Sequence, residues 1–225
     1  MHLFCLSHFR FERGLPLRSN ERARELGEVF TNEREVKAML DLVKDVNFAS
    51  RYLEPGCGSG NFLVEILARK FDLLTKLPEV KSGLENGNLH EFHLKLITAL
   101  GSLYGIDIDP HNVEESQKRV LYLTLELYNK ASRGAEMPIS VKRAIEYVIH
   151  NNIVLGDMIS APEGIEIYEY AELPGHKVKI RVFKYSDLLY PEDEVFDDTP
   201  RLFGHVPQPV REIPLMHFEE IGSNV

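Results

Sequence analysis

A chain of 225 residues, 44% hydrophobic and 27% charged, has ordinary globular composition and enough length for one sizeable core. Its 26 Lys and Arg against 35 Asp and Glu give a net charge of −9, which disfavours a protein that grips a polyanion by itself; a DNA substrate would need another chain to hold it. No apolar run approaches the roughly 18 residues that cross a membrane, and His8, Arg10, Glu12 and Arg13 interrupt the N-terminal apolar run, so no membrane association and a cytoplasmic location are expected.

The two cysteines, Cys5 and Cys57, lack metal-ligand spacing, so neither a disulfide framework nor a metal site is expected. Residues 1–23 read as an N-terminal extension, 24–189 as the core and 190–225 as an irregular proline-rich tail. In chain order, Val36, Met39, Leu40 and Val43 have helical spacing, with Thr31 or Asn32 as N-cap and Glu33 and Glu35 in the first turn. A short strand over Arg51 to Glu54 then meets the run Pro55-Gly56-Cys57-Gly58-Ser59-Gly60, and a helix over Asn61 to Phe71 carries Phe62, Leu63, Ile66 and Leu67 on one face.

Polar residues with Pro78, Gly83 and Gly87 predict a long surface loop over Lys76 to Asn88. Helical periodicity returns from His90 to Leu100 and leads into a strand over Ser102 to Asp107. His90 and His93, a turn apart and without a third ligand, read as a solvated helix face rather than a metal pair. Two helices follow, Val113 to Lys130 and Val141 to His150, the latter with Ser140 as N-cap, and then a strand from Asn152 to Gly156. Three strands separated by helices predict an α/β fold with a parallel sheet and right-handed crossovers. Ile165 to Tyr170 and Val178 to Phe183 alternate with period two around Pro174-Gly175, the pattern of a β-hairpin.

Glycine allows close ligand approach and positive φ, which a tight strand-to-helix loop around a bound molecule needs. Gly56, Gly58 and Gly60 read G-x-G-x-G rather than the dinucleotide G-x-G-x-x-G, and Glu54 stands two residues upstream. A carboxylate there repels a pyrophosphate and suits a cationic ligand such as S-adenosylmethionine, with its ammonium and sulfonium. The glycines alone also fit an ordinary strand-to-helix turn, the lesser of the two readings. Acids recur, however, at the carboxyl ends of three consecutive strands, as Glu54, Asp107 and Asp157. That edge is where an open α/β sheet binds ligands. A carboxylate at the second strand can accept ribose hydroxyls and one at the third can accept an adenine amino group.

From about residue 24 to 160 the sequence resembles the N6-adenine DNA methyltransferases of bacterial restriction-modification systems, class I enzymes that use S-adenosylmethionine. Gly27-Glu28-Val29-Phe30-Thr31 looks like the family's upstream G-E-x-[FY]-T-P motif, with Asn32 in place of the proline. Leu53-Glu54-Pro55-Gly56-Cys57-Gly58-Ser59-Gly60-Asn61-Phe62-Leu63 is similar to its D-P-A-C-G-S-G-N-F-L loop. Tyr104-Gly105-Ile106-Asp107-Ile108-Asp109-Pro110 resembles its ribose motif, and Asn152-Ile153-Val154-Leu155-Gly156-Asp157 its adenine motif. The resemblance implies a Rossmann-like class I methyltransferase core. It also implies a cofactor site built from Thr31, Glu54, Pro55, Gly56, Cys57, Gly58, Gly60, Asn61, Phe62, Asp107, Ile108, Asp157 and Met158, with Thr31 at the methionine carboxylate.

Two departures from the family stand out. The spacing from Gly58 to Asp107 exceeds the roughly 20 positions of a minimal βαβ unit, as an insertion over Lys76 to Leu100 would explain. The family's catalytic Asn/Asp-Pro-Pro-Tyr/Phe segment does not occur in these residues. Its asparagine and following carbonyl accept the adenine amine's two N–H bonds, and its aromatic stacks on the flipped base. Asp198-Thr199-Pro200-Arg201-Leu202-Phe203 offers an acid, a proline and an aromatic, but no apolar strand precedes it. The expectation is therefore a cofactor-binding subunit, with no catalytic residue assigned. A second methyltransferase or specificity polypeptide would supply that segment and hold the DNA. A non-catalytic protein that binds S-adenosylmethionine is the alternative, and a small-molecule methyltransferase is a third reading.

Overall fold

The computed structural model describes residues 31–44, 46–189 and 207–223. The expected N-terminal extension, the Gly27 to Phe30 part of the upstream motif and the Asp198 to Phe203 segment lie outside the described residues. Helix α1 (Glu33–Leu40) opens with a capping box: Asn32 accepts the Glu35 amide, and the Glu35 carboxylate reaches back to the Asn32 amide. Of the two expected caps, Asn32 is the one used.

Strands β1 (Tyr52–Pro55), β2 (Leu103–Asp107) and β3 (Ile153–Leu155) form a parallel sheet in the order β1-β2-β3. Parallel neighbours need crossovers. Helices α2 (Asn61–Leu74), α3 (Pro78–Asn86) and α4 (His90–Leu100) join β1 to β2, and α5 (Pro110–Ala131) and α6 (Ile139–Asn152) join β2 to β3. The expected surface loop over Lys76 to Asn88 is largely helix α3. Its Pro78 occupies the first turn and Gly87 follows the end at φ +82°, so the residues that suggest a loop are the helix's start and stop signals. Val80 and Gly83 are buried. Helix α6 begins earlier than expected, directly after Pro138, so Ser140 lies inside it rather than at the cap.

Pairing fixes the two faces of the sheet. Glu54 aligns with Gly105, and Asp107 with Leu155. A Cβ at Gly105 would come within 2.7 Å of Leu63 Cδ1 and 3.1 Å of Cys57 Sγ, so α2 lies directly on that face. The opposite face carries Tyr104 and Ile106. Tyr104 donates its hydroxyl to the Tyr168 carbonyl at 2.9 Å, and Ile106 packs with Ile165, Tyr185, Val154, Met158 and Ile167. Tyr168 and Ile167 belong to the second sheet and Tyr185 to the short helix α7 (Tyr185–Leu189), whereas Val154 lies on β3 and Met158 and Ile165 in the connection that follows it.

That second sheet is antiparallel, β4 (Glu166–Leu173), β5 (Lys177–Lys184) and β6 (Arg211–His217) in the order β4-β5-β6. The predicted hairpin is therefore present and gains a third strand where an irregular tail was expected. Five prolines after residue 190 suggest irregular chain, yet β6 is an edge strand and holds Pro214 at a register shift opposite Val178 to Ile180. A 3-10 turn over Phe218–Glu220 follows, and Phe218 and Ile221 are fully buried.

Phe218 lies beside His93, which is 5% exposed. The His93 ring bonds the Tyr128 hydroxyl through Nε2 at 3.0 Å, and burial drives its pKa down to about 4, aided by His90. The expected solvated face thus applies to His90, which is exposed, and not to His93. At the amino-terminal ends of the strands, the buried Lys70 amine donates to the carbonyls of Phe48 and Ser50 and to the Ser102 hydroxyl. It ties together the segments that feed β1 and β2. Among the described residues, no helix is long and apolar enough to cross a membrane.

Candidate functional site

The glycine loop turns sharply because all three glycines adopt left-handed backbone, with φ +71° at Gly56, +53° at Gly58 and +84° at Gly60. Side-chain-bearing residues are strained there by about 1–2 kcal/mol. The Gly56 and Cys57 amides both donate to the Ile106 carbonyl, at 2.8 and 2.9 Å, drawing the loop across the end of β2. The glycines then divide by purpose. A Cβ at Gly60 would stand 2.8 Å from Ser116 Cβ on α5, whereas a Cβ at Gly56 or Gly58 would meet nothing within 4 Å. Gly60 serves packing; Gly56 and Gly58 border open space at the carboxyl edge of the sheet.

Asp107 is 7% exposed and is the hub of this edge. Its Oδ2 accepts the Gly58 amide at 2.7 Å, and its Oδ1 accepts the Asp109 amide at 2.8 Å and the Asn112 side-chain amide at 3.2 Å. Three of roughly four acceptor positions are thereby in use. Asp107 locks the loop to β2, and little of its carboxylate remains for two ribose hydroxyls.

Glu54 differs in every respect. It is half-buried at the end of β1 and makes no hydrogen bond or ion pair among the described residues. Desolvation alone raises its pKa. A partly buried carboxylate without a partner is unfavourable, and a cation beside it relieves the cost. Asp157 acts within its own loop, where Oδ1 accepts the Ile159 and Ser160 amides at 2.9 and 2.8 Å. Those two bonds hold its pKa below the usual aspartate range. By strand register, Asp107 stands two positions beyond the level of Glu54 and Asp157 two beyond that, so the acids climb across the edge of the sheet.

The remaining expected residues separate into two groups. Pro55 is exposed, Ile108 is 61% exposed, and both border the sheet's carboxyl edge. Met158 turns instead into the cluster around Ile106, and Cys57 is buried beneath the loop against β2 and Ser116 of α5. Burial and then the neighbouring Asp107 push the Cys57 thiol up to about 12, so it stays protonated at neutral pH. Cys57 contributes its backbone to the loop, not a reactive sulfur. Phe62 is half-buried in the first turn of α2.

Thr31 is brought to the loop by a route that the motifs do not reveal. The Asn61 side-chain amide donates to the Thr31 carbonyl at 2.9 Å, and its oxygen accepts from Arg119 Nη1 at 2.9 Å. Arg119 also donates to the Ser59 carbonyl and hydroxyl, at 2.5 and 3.1 Å. Arg119 and Ser116, on α5, carry no sequence signal beyond helical periodicity. The one local signal for Asn112 is its place three residues after the Asp109 cap.

No family model, curated protein or solved structure matches this chain.

Proposed function

We propose that this chain is the S-adenosylmethionine-binding part of an N6-adenine DNA methyltransferase of the restriction-modification type, on a Rossmann-like class I core. A partner polypeptide carries the Asn-Pro-Pro-Tyr segment and holds the DNA. The observation that carries this reading is Glu54: a desolvated carboxylate without a partner among the described residues, beside a loop of three left-handed glycines, two of which border open space. A pyrophosphate would be repelled there, and the ammonium of the methionyl group would be held. The bound cofactor supplies an electrophilic methyl on its sulfonium.

The chain's own residues have holding roles. Glu54 pairs with the ammonium, the Gly56 to Gly58 backbone admits the ligand closely, and Asp107 keeps that backbone in place while offering its remaining acceptor capacity to the ribose. Ile108 gives an apolar surface for the adenine, and Asp157 offers its carboxylate to the amino group. None of them needs to act as a general base.

Support for a partner comes from β1. Among the described residues this strand pairs on one side only, with β2, and Leu53 on the face towards the second sheet is 41% exposed. Parallel sheets are ordinarily covered on both faces, and ligand crevices form where strand order reverses, beside such a first strand. The test is tritium transfer from labelled S-adenosylmethionine to an adenine-containing duplex. The chain alone should give none, and adding a polypeptide that carries the Asn-Pro-Pro-Tyr segment should give transfer. Binding with no transfer in either mixture would favour a non-catalytic cofactor-binding protein.

A further inference from the structure

The geometry points to Arg119 as a positioning residue that sets Thr31 for the methionine carboxylate through Asn61, an inference that rests on the cofactor reading above. A guanidinium only donates and a carbonyl only accepts. With Arg119 Nη1 on its oxygen, the Asn61 amide must present its nitrogen to the Thr31 carbonyl, so the amide's orientation is dictated from both ends. The same Nη1 holds the Ser59 carbonyl and hydroxyl. One side chain on α5 therefore fixes the end of the glycine loop, the first residue of α2 and the backbone of Thr31 at once.

Alternatives for this cluster are limited by its chemistry. Arg119 is half-buried and engaged by the loop, so it is not offered to solvent as a DNA-phosphate contact. Asn61 begins α2 just after Gly60, which lacks a side chain and cannot cap the helix. Its amide is thereby left to join the loop to the upstream segment.

The experiment compares binding of S-adenosylmethionine with binding of decarboxylated S-adenosylmethionine, by calorimetry on the full chain. Wild type should prefer the carboxylate-bearing ligand. Arg119→Ala should reduce that preference by about 5- to 30-fold, the size of one or two lost hydrogen bonds, over and above the weakening of both ligands that follows from freeing the glycine loop. Asn61→Ala breaks the same relay at its second link and should reproduce the loss, which keeps the test open if Arg119→Ala does not fold. Equal weakening of both ligands would mean a purely structural role and overturn the inference, as would an unchanged preference or a wild type without one. A wild type that binds neither ligand would instead sink the cofactor reading itself.

Discussion

The Gly58 amide donates to the Asp107 carboxylate at 2.7 Å, so the first strand's loop and the second strand's acid form one rigid unit. Asp107 also orders the start of α5 through the Asp109 amide and the Asn112 side chain. Replacing it with alanine leaves buried donors unpaired at about 1–3 kcal/mol and frees the loop. Asp107→Ala should therefore lower the thermal midpoint and weaken S-adenosylmethionine binding together, by roughly 5- to 150-fold for 1–3 kcal/mol. Calorimetry and a melting curve on the same sample check this; full affinity with a lowered midpoint would separate the loop lock from the ligand.

The glycines should rank by what surrounds them. Gly60→Ala meets Ser116 as well as an unfavourable φ, and should cost about 2–4 kcal/mol of stability. Gly58→Ala faces open space, and should cost only about 1–2 kcal/mol of backbone strain while impairing binding strongly. Urea unfolding of both variants gives the order directly. If Gly58→Ala proved the more destabilising of the two, the packing assignment of Gly60 would be wrong.

Phe218 is fully buried against His93 and His176, beyond the strand that the prolines obscure. Phe218→Ala should cost about 3–5 kcal/mol, the usual range for an emptied aromatic site. A change under about 1 kcal/mol, measured by chemical denaturation, would show that residues 211 to 221 are dispensable to the core.

Acid should act through His93. Its folded pKa, about 4, lies below the ordinary 6.5, so the unfolded chain binds its proton first as pH falls. The stability contributed by the neutral ring is complete above about pH 6.5 and is lost between there and about pH 4. Denaturation midpoints at pH 7.5 and 5 should fall further apart in wild type than in His93→Gln, which cannot titrate. Parallel pH dependence in the two proteins would exclude His93 as the source.

The parallel sheet was readable because apolar runs, intervening helical periodicity and terminal acids repeat three times. Helix α3 was not, since Pro78 and Gly87 mark loops as readily as helix ends, and only the burial of Val80 separates the two. Strand β6 was hidden by Pro214, which a bulge on an edge strand tolerates. In the site, Glu54, Asp107 and the glycines were legible from their positions at strand ends. The Arg119 to Asn61 to Thr31 relay was not, because it joins residues far apart in sequence through side chains that carry no local pattern.

Calorimetric titration of the purified chain with S-adenosylmethionine bears most directly on the central assignment. One saturable site per chain is predicted, weakened when Glu54 is replaced by glutamine, which keeps the shape but not the charge. A folded chain that gives no binding heat and no ligand-dependent rise in melting temperature would contradict it.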